Sequence, residues 1–311
     1  MIISVSRRTD VPAYYSRWFF NRLKEGYVLV RNPMNPKRIS RINLSPEVVD
    51  GFVFWTKNPA PMLKEIHKLK DYAYYFQVTI TSYGKDIEEN VPSKNDVVIP
   101  SFIELSKLIG SDRMIWRYDP IVLTEKYNVD YHVEYFAKMA KRLQGYTGKC
   151  VISFLDFYKN TEKNLRGLKL LPVTEKEMKL IGEKFSGIAE KYGIELASCC
   201  EGIDLSEFGI KHNSCIDGEL FEKILGQKLN FKPDKNQRKG CGCIESIDIG
   251  AYNSCKNGCK YCYANYNPKL IDYNFSSHDE NSPILFGEIK SDDIITERKF
   301  TSFKDNQIEL T

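Results

Sequence analysis

Short apolar or aromatic runs alternate along this chain with segments whose apolar residues recur every three or four positions. The runs Ile2–Ser6, Gly51–Thr56, Tyr75–Thr81, Met114–Tyr118, Cys150–Phe154, Ile194–Ser198 and Ile247–Tyr252 predict strands. Several are nearly continuous, as strands of a parallel sheet covered on both faces are. Between them, Tyr15, Trp18, Phe19 and Leu23 predict a helix stopped by Gly26. Met62, Ile66 and Leu69 repeat the spacing, as do Val133, Phe136, Ala140 and Leu143, ended by Gly145. Met178, Ile181, Phe185, Ile188 and Tyr192 mark another stripe, opened by a Thr174-x-x-Glu177 capping box and closed at Gly193. These stripes read as core faces without chemistry. The alternation predicts an α/β fold, a parallel (β/α) barrel or partial barrel, with its active site at the C-terminal ends of the strands. Residues 1–275 read as that single barrel domain. Residues 276–311 read as a polar tail packing on the barrel or over its mouth, with one apolar island at Ile284-Leu285-Phe286. The basic stretch 228–240 reads as a loop.

Composition narrows the classes. At 311 residues the chain can bury a full core. Lys+Arg 45 against Asp+Glu 41 leave a net charge of +4, too weak for an extended duplex footprint. The opening MIISVSRRTD is not expected to be a signal peptide, because arginines follow a short apolar run. No run approaches the roughly 18 apolar residues of a transmembrane helix, so no membrane contact is expected. Nine cysteines without a secretory signal point to metal or redox chemistry in a reducing cytoplasm, not to disulfides. Phosphate-loop, nucleophile-elbow and H-E-x-x-H patterns are missing from the sequence, which removes the commonest hydrolase readings.

The sharpest chemical signal is Cys255-Lys-Asn-Gly-Cys259-Lys-Tyr-Cys262, followed by Tyr263. Three thiolates at this spacing on one loop can hold three irons of a four-iron, four-sulfur (4Fe-4S) cluster and leave the fourth open. A structural zinc knuckle and plain loop cysteines are the competing readings. The C-x3-C-x2-C pattern, with an aromatic before the last Cys, resembles the signature of the radical SAM superfamily. That resemblance implies that the open iron takes the amino and carboxylate groups of S-adenosylmethionine. It implies reductive cleavage to a 5′-deoxyadenosyl radical, which takes hydrogen from the substrate. It also places Tyr261 and Tyr263 by the adenine, and calls for an electron donor such as ferredoxin or flavodoxin.

In that superfamily the three-cysteine loop follows the first strand; here it follows the last. First and last strands of a closed or nearly closed barrel can be neighbours, so a circular permutation keeps the same site. The remaining segments resemble, in order, the spore photoproduct lyase-like branch with its first strand moved to the end. They are Ser6-Arg7-Arg8-Thr9-Asp10, Trp55-Thr56-Lys57-Asn58-Pro59, Gln77-Val-Thr79-Ile-Thr81 and Arg117-Tyr118-Asp119-Pro120. The whole chain also resembles an uncharacterised bacterial domain family through SVSRRTD, FWTKNPAPM and the terminal CGCIES and DIGAYN block.

These strand ends supply the candidate site. Arg7, Lys57, Arg117 and Asp119 are the catalytic candidates; Arg8, Asp10, Asn58, Gln77, Thr79 and Thr81 are the cofactor-binding ones, with Tyr261 and Tyr263. Arg7, Arg8 and Asp10 suit the methionyl carboxylate and amine. Their competing reading is a surface ion pair with a helix cap before Pro12. Lys57 and Asn58 read equally as a turn before Pro59, and Arg117 with Asp119 as a buried structural pair. Gln77, Thr79 and Thr81 alternate, so they share one face. Asp156 and Glu195 are further lumen candidates. His67, His132, His212 and His278 are scattered and read as surface or structural.

Cys200, Cys215, Cys241 and Cys243, with Cys199 as a spare, form a second candidate set. Four soft thiolates suit an auxiliary iron–sulfur cluster or a closed structural zinc. Ordinary buried cysteines are the alternative, and Cys150 reads as core. The sequence thus points to a radical SAM-type enzyme acting on an unknown substrate, with a nucleic acid or nucleotide suggested by the resemblance. The alternatives are a zinc-stabilised binding domain without turnover and an iron–sulfur electron carrier or sensor.

Overall fold

The computed structural model describes residues 1–156, 161, 164, 165, 167–238, 240–299 and 301–304. The chain opens with β1 (Ile2–Val5), α1 (Val11–Tyr14), α2 (Ser16–Glu25) and the antiparallel pair β2 (Tyr27–Arg31) and β3 (Arg38–Asn43). It continues through β4 (Gly51–Thr56), a 3-10 segment (Ala60–Leu69), β5 (Tyr74–Thr79), α3 (Ile99–Ile109) and β6 (Met114–Ile121). Next come α4 (Val129–Leu143), β7 (Lys149–Phe154), α5 (Glu175–Lys191), β8 (Glu195–Ser198) and the two-residue β9 (Lys211–His212). The described chain ends with α6 (Gly218–Leu225), β10 (Ser246–Asp248), α7 (Pro268–Ser276) and β11 (Ile294–Glu297).

Eight strands form one parallel sheet in the order β10-β1-β4-β5-β6-β7-β8-β9. Among the described residues the ladder is open, with β10 and β9 at its edges. The last strand of this sheet in sequence, β10, lies beside the first: Ile2, Ile3 and Ser4 pair with Ser246, Ile247 and Asp248. All seven predicted strands are present, Gly51–Thr56 with the expected bounds and the others with shifted ends. The largest correction is Ile247–Tyr252, which is a strand only over Ser246–Asp248. There the Asp248 carboxylate takes the backbone N–H of Gly250 at 3.0 Å and turns the chain away.

Period-two alternation divides the sheet's residues between two cores. Ile3, Phe52, Phe54, Phe76, Trp116 and Ile152 face helices α1 to α5. Their neighbours Ile2, Val53, Tyr75, Ile115 and Val151 face the other way, onto Phe221 of α6, Leu229 and Ile244. On the helical side Phe136 of α4 stacks between Phe185 of α5 (3.9 Å between centroids) and Trp116 of β6 (4.8 Å). Two predicted helix signals hold, since α2 ends at Gly26 with φ +77° and the Thr174–Glu177 capping box opens α5, whereas the Met62, Ile66 and Leu69 stripe forms the 3-10 segment and not an α-helix.

Beyond residue 276 the described tail packs against β2 and β3, and its Arg298 reaches the cavity. Ile284 and Leu285 are buried, Pro283 O accepts from Leu29 N, and β11 adds a parallel strand to β3. Among the described residues no helix is long and apolar enough to cross a membrane.

Candidate functional site

The C-terminal ends of the parallel strands surround a cavity of about 930 Å³. Eight of the nine cysteines line it; Cys150 alone sits in the helical core. Cys255, Cys259 and Cys262 come from the loop after β10, Cys199 and Cys200 from the end of β8, Cys215 from beyond β9, and Cys241 and Cys243 from the approach to β10.

The loop after β10 is held from every side. Its root is Asp248, which accepts from Ser4 Oγ (2.9 Å), Ser6 Oγ (2.5 Å) and the backbone N–H of Arg7 (2.8 Å). Gly250 follows because nothing larger fits: a Cβ there would lie 2.1 Å from Ser6 Oγ. Asn253 adopts φ +53°, a conformation Asn tolerates better than most residues. Its Oδ1 collects the N–H groups of Tyr266 and Asn267, closing the loop. Tyr15 donates to Ser254 O and Tyr14 to Asn257 Oδ1. Asn257 in turn donates to Asp10 Oδ2 at 2.9 Å. On the far side the segment 87–90 clamps the loop, through Lys260 N to Ile87 O, Asn90 N to Asn257 O and Asn90 Nδ2 to Lys256 O.

Cys255, Cys259 and Cys262 are half-buried at the cavity wall. Burial raises all three thiols, Cys255 to about 12, with the Asp10 carboxylate and Cys262 adding to the effect there. Such thiols give up their protons when a metal takes the proton's place. Among the described residues no three His, Cys, Asp or Glu side chains are closed tightly enough to hold a metal ion as they stand. A polynuclear cluster asks for a different arrangement, one thiolate on each iron. Two buried polar atoms at the wall, Thr9 Oγ1 and Trp55 Nε1, have no hydrogen-bond partner. Buried groups of this kind are normally satisfied, so a polar bound molecule suits this wall.

Glu88 is the hub that sequence reasoning missed. Its fully buried Oε1 accepts from Lys57 Nζ (2.8 Å), Thr81 Oγ1 (2.8 Å) and the Tyr261 hydroxyl, and its Oε2 meets Lys94 Nζ at 2.6 Å. Burial opposes the Glu88 charge, but Lys57 and Lys94 outweigh it and hold the carboxyl down at about 2. Burial likewise opposes the Lys57 charge, and Glu88 and Cys259 more than offset it. Lys57 also lies 5.3 Å from the centre of the Tyr261 ring.

Arg117 organises the opposite side. It pairs with Asp119 (2.5 Å), donates to Gln77 Oε1 (2.7 Å) and to Cys215 Sγ (3.0 Å), and lies over the Trp55 ring. Cys199 Sγ is 3.1 Å from Cys215 Sγ. Contacts from Cys199 and Cys243, then the Arg117 charge, bring the Cys215 thiol well below its ordinary range.

Most of the predicted site is brought together. Arg7, Arg8, Asp10, Lys57, Thr79, Arg117, Asp119, Tyr261, Tyr263 and all seven predicted metal ligands line the cavity, as does Asp156. Asp10 also caps α1, accepting from Ala13 N, and takes Lys57 N at 2.8 Å. Four other candidates lie outside the lining. Asn58 turns away to accept from Ala60 N, opening the 3-10 segment. Gln77 lies beneath Arg117, with its amide on Cys215 O, and Thr81 lies beyond the end of β5, facing Glu88. Glu195 is exposed at the start of β8, the end of the strand away from the cavity. Beside the set Cys200, Cys215, Cys241 and Cys243, the spare Cys199 also lines the cavity, with its Sγ on Cys215 Sγ. His132 is fully buried between Tyr118 and Val122 O, and burial lowers it to about 4; no histidine lines the cavity.

The residues missed are Glu88, Asp248, Asn253 and Asn257. Only Asp248 left a trace in the sequence, as a charge inside an apolar strand.

The family model for a domain of unknown function, DUF1848, matches residues 2–264, and the chain belongs to that family. No curated protein matches the chain.

Proposed function

We propose that this member of the DUF1848 family is a radical SAM-type iron–sulfur enzyme in which Cys255, Cys259 and Cys262 hold a 4Fe-4S cluster. One observation carries the reading: a three-cysteine loop, rooted beside the first strand of a parallel sheet, opens all three thiols onto a cavity of about 930 Å³. The donor set fits, since three soft thiolates leave one iron of such a cluster without a protein ligand. When bound, the cluster supplies the electron that splits S-adenosylmethionine and yields a hydrogen-abstracting 5′-deoxyadenosyl radical.

The chain's own residues bind and orient. Arg7, Arg8 and Lys57 set cationic donors on the wall shared with the loop, which suits the methionyl carboxylate. Tyr261, fixed through its hydroxyl to Glu88, and Tyr263, whose hydroxyl donates to Arg7 O, flank the region proposed for the adenine. We read the eight-strand sheet as a partial barrel, circularly permuted so that the cluster strand comes last yet remains beside β1. Among the described residues seven basic side chains line the cavity against five aspartates, which favours an anionic substrate such as a nucleotide or nucleic acid. A reducing electron donor of the ferredoxin or flavodoxin kind and a cytoplasmic setting belong to the same reading.

Anaerobic reconstitution with iron and sulfide, followed by equilibrium binding of S-adenosylmethionine, tests it. The wild type is expected to take up iron and bind the cofactor. The triple Cys255→Ala, Cys259→Ala, Cys262→Ala variant is expected to fold and bind none. Zinc without iron, or cofactor binding unchanged in the triple variant, overturns the reading.

A further inference from the structure

The proposed reaction leaves the cysteines on the other side of the cavity unused, and from them we infer a second metal centre held by thiolates, whose side chains close further around the metal than they stand here. Cys199 Sγ lies 3.1 Å from Cys215 Sγ, and Cys241 and Cys243 line the same cavity and pack in the same cluster of side chains. These four sulfurs come from three separate segments of chain, so their meeting is a property of the fold and not of a local motif.

Hydrogen-bond donors point at them. Arg117 Nη1 (3.0 Å) and Asn213 Nδ2 (3.6 Å) address Cys215 Sγ, and the backbone N–H of Ile216 addresses Cys243 Sγ at 3.3 Å. A thiol sulfur is a weak acceptor, so three N–H groups on two sulfurs mark places built for thiolates. Hydrogen bonds to sulfur are also a recognised means of tuning a metal-bound thiolate.

Charge then calls for a cation. Thiolates gathered this closely, away from bulk water, repel one another. Arg117 offers one positive charge and shares it with Asp119. A thiophilic metal supplies the remainder. Ordinary cysteine burial looks different: Cys150 sits by itself among the apolar residues of the helical core. Iron in a cluster and a single zinc ion share this thiolate chemistry, and the arms of the test separate them.

The inference is independent of the proposed reaction, because its ligands lie outside the 255–262 loop. The test uses full-length protein handled without oxygen. In the triple variant lacking Cys255, Cys259 and Cys262, metal and acid-labile sulfide are measured per chain. Iron with sulfide assigns a cluster and zinc without sulfide a single ion; either supports the centre. A metal-free triple variant with native-like thermal melting overturns it.

A second measurement needs no variant. Wild-type protein, stripped of metal and then reloaded, is alkylated under native conditions, and each cysteine peptide is weighed. Reloading is expected to slow labelling of Cys199, Cys215, Cys241 and Cys243 by roughly tenfold or more, since metal-bound thiolates are withdrawn from reaction. Labelling of these four that ignores reloading overturns the inference. The peptide carrying Cys255, Cys259 and Cys262 reports separately on the proposed catalytic cluster.

Discussion

Glu88 gathers Lys57, Lys94, Thr81 and Tyr261 in a place closed to water. Removing its charge strands two ammonium groups, so Glu88→Gln is expected to destabilise the fold by roughly 3–5 kcal/mol at neutral pH. Acid should do the same to the wild type. The Glu88 carboxyl is held at about 2 against an ordinary 4.5, so its contribution is present above pH 4.5 and fades as pH falls towards 2. Denaturant unfolding followed against pH should show a loss on the order of 3 kcal/mol across that window, and a flatter curve for Glu88→Gln. An identical acid slope in the two proteins contradicts this role. Gly250→Ala is the second test at this scale, because the added Cβ meets Ser6 Oγ at 2.1 Å and Ser6 Cβ at 2.6 Å. The expected cost is roughly 1–3 kcal/mol, read as a lowered denaturant midpoint. An unchanged midpoint would mean that Ser6 yields freely.

Among the elements, the pairing of β10 with β1 is what sets the cysteine loop in place. Asp248→Ala removes the acceptor for Ser4, Ser6, Arg7 and Gly250. Hydrogen exchange is expected to quicken over residues 2–8 and 246–262 while the strands from β4 to β8 stay protected. Equal protection in variant and wild type would show that the backbone ladder suffices. This scale also shows why the sequence was legible where it was. Strands such as Gly51–Thr56 are buried on both faces and so read as unbroken apolar runs. β2, β3 and β11 mix apolar and charged residues, and β11 is exposed throughout, so only tertiary pairing reveals them. The cysteine loop announced itself because its chemistry is local. Glu88 and Asn257 did not, because their partners lie 6 to 247 positions away and no spacing encodes such contacts. Thr81 was misplaced for a related reason: alternation holds only within the strand, and β5 stops at Thr79; Gln77 is inside the strand but covered by Arg117, a contact 40 positions away.

Across the described residues, one sheet presents the ends of seven of its eight strands to one cavity, and nearly every cysteine stands around it. The proposed chemistry needs all of this at once: a loop for the cluster, cations and tyrosines for the cofactor, and room for a substrate. The most direct measurement is chromatography for 5′-deoxyadenosine after anaerobic reconstitution, chemical reduction and addition of S-adenosylmethionine. The wild type is predicted to produce it. Cys259→Ala is predicted to remain folded, lose one cluster and produce none. A reconstituted, reducible wild-type protein that binds S-adenosylmethionine yet leaves it intact, or a Cys259→Ala variant that cleaves it equally well, would contradict the assignment.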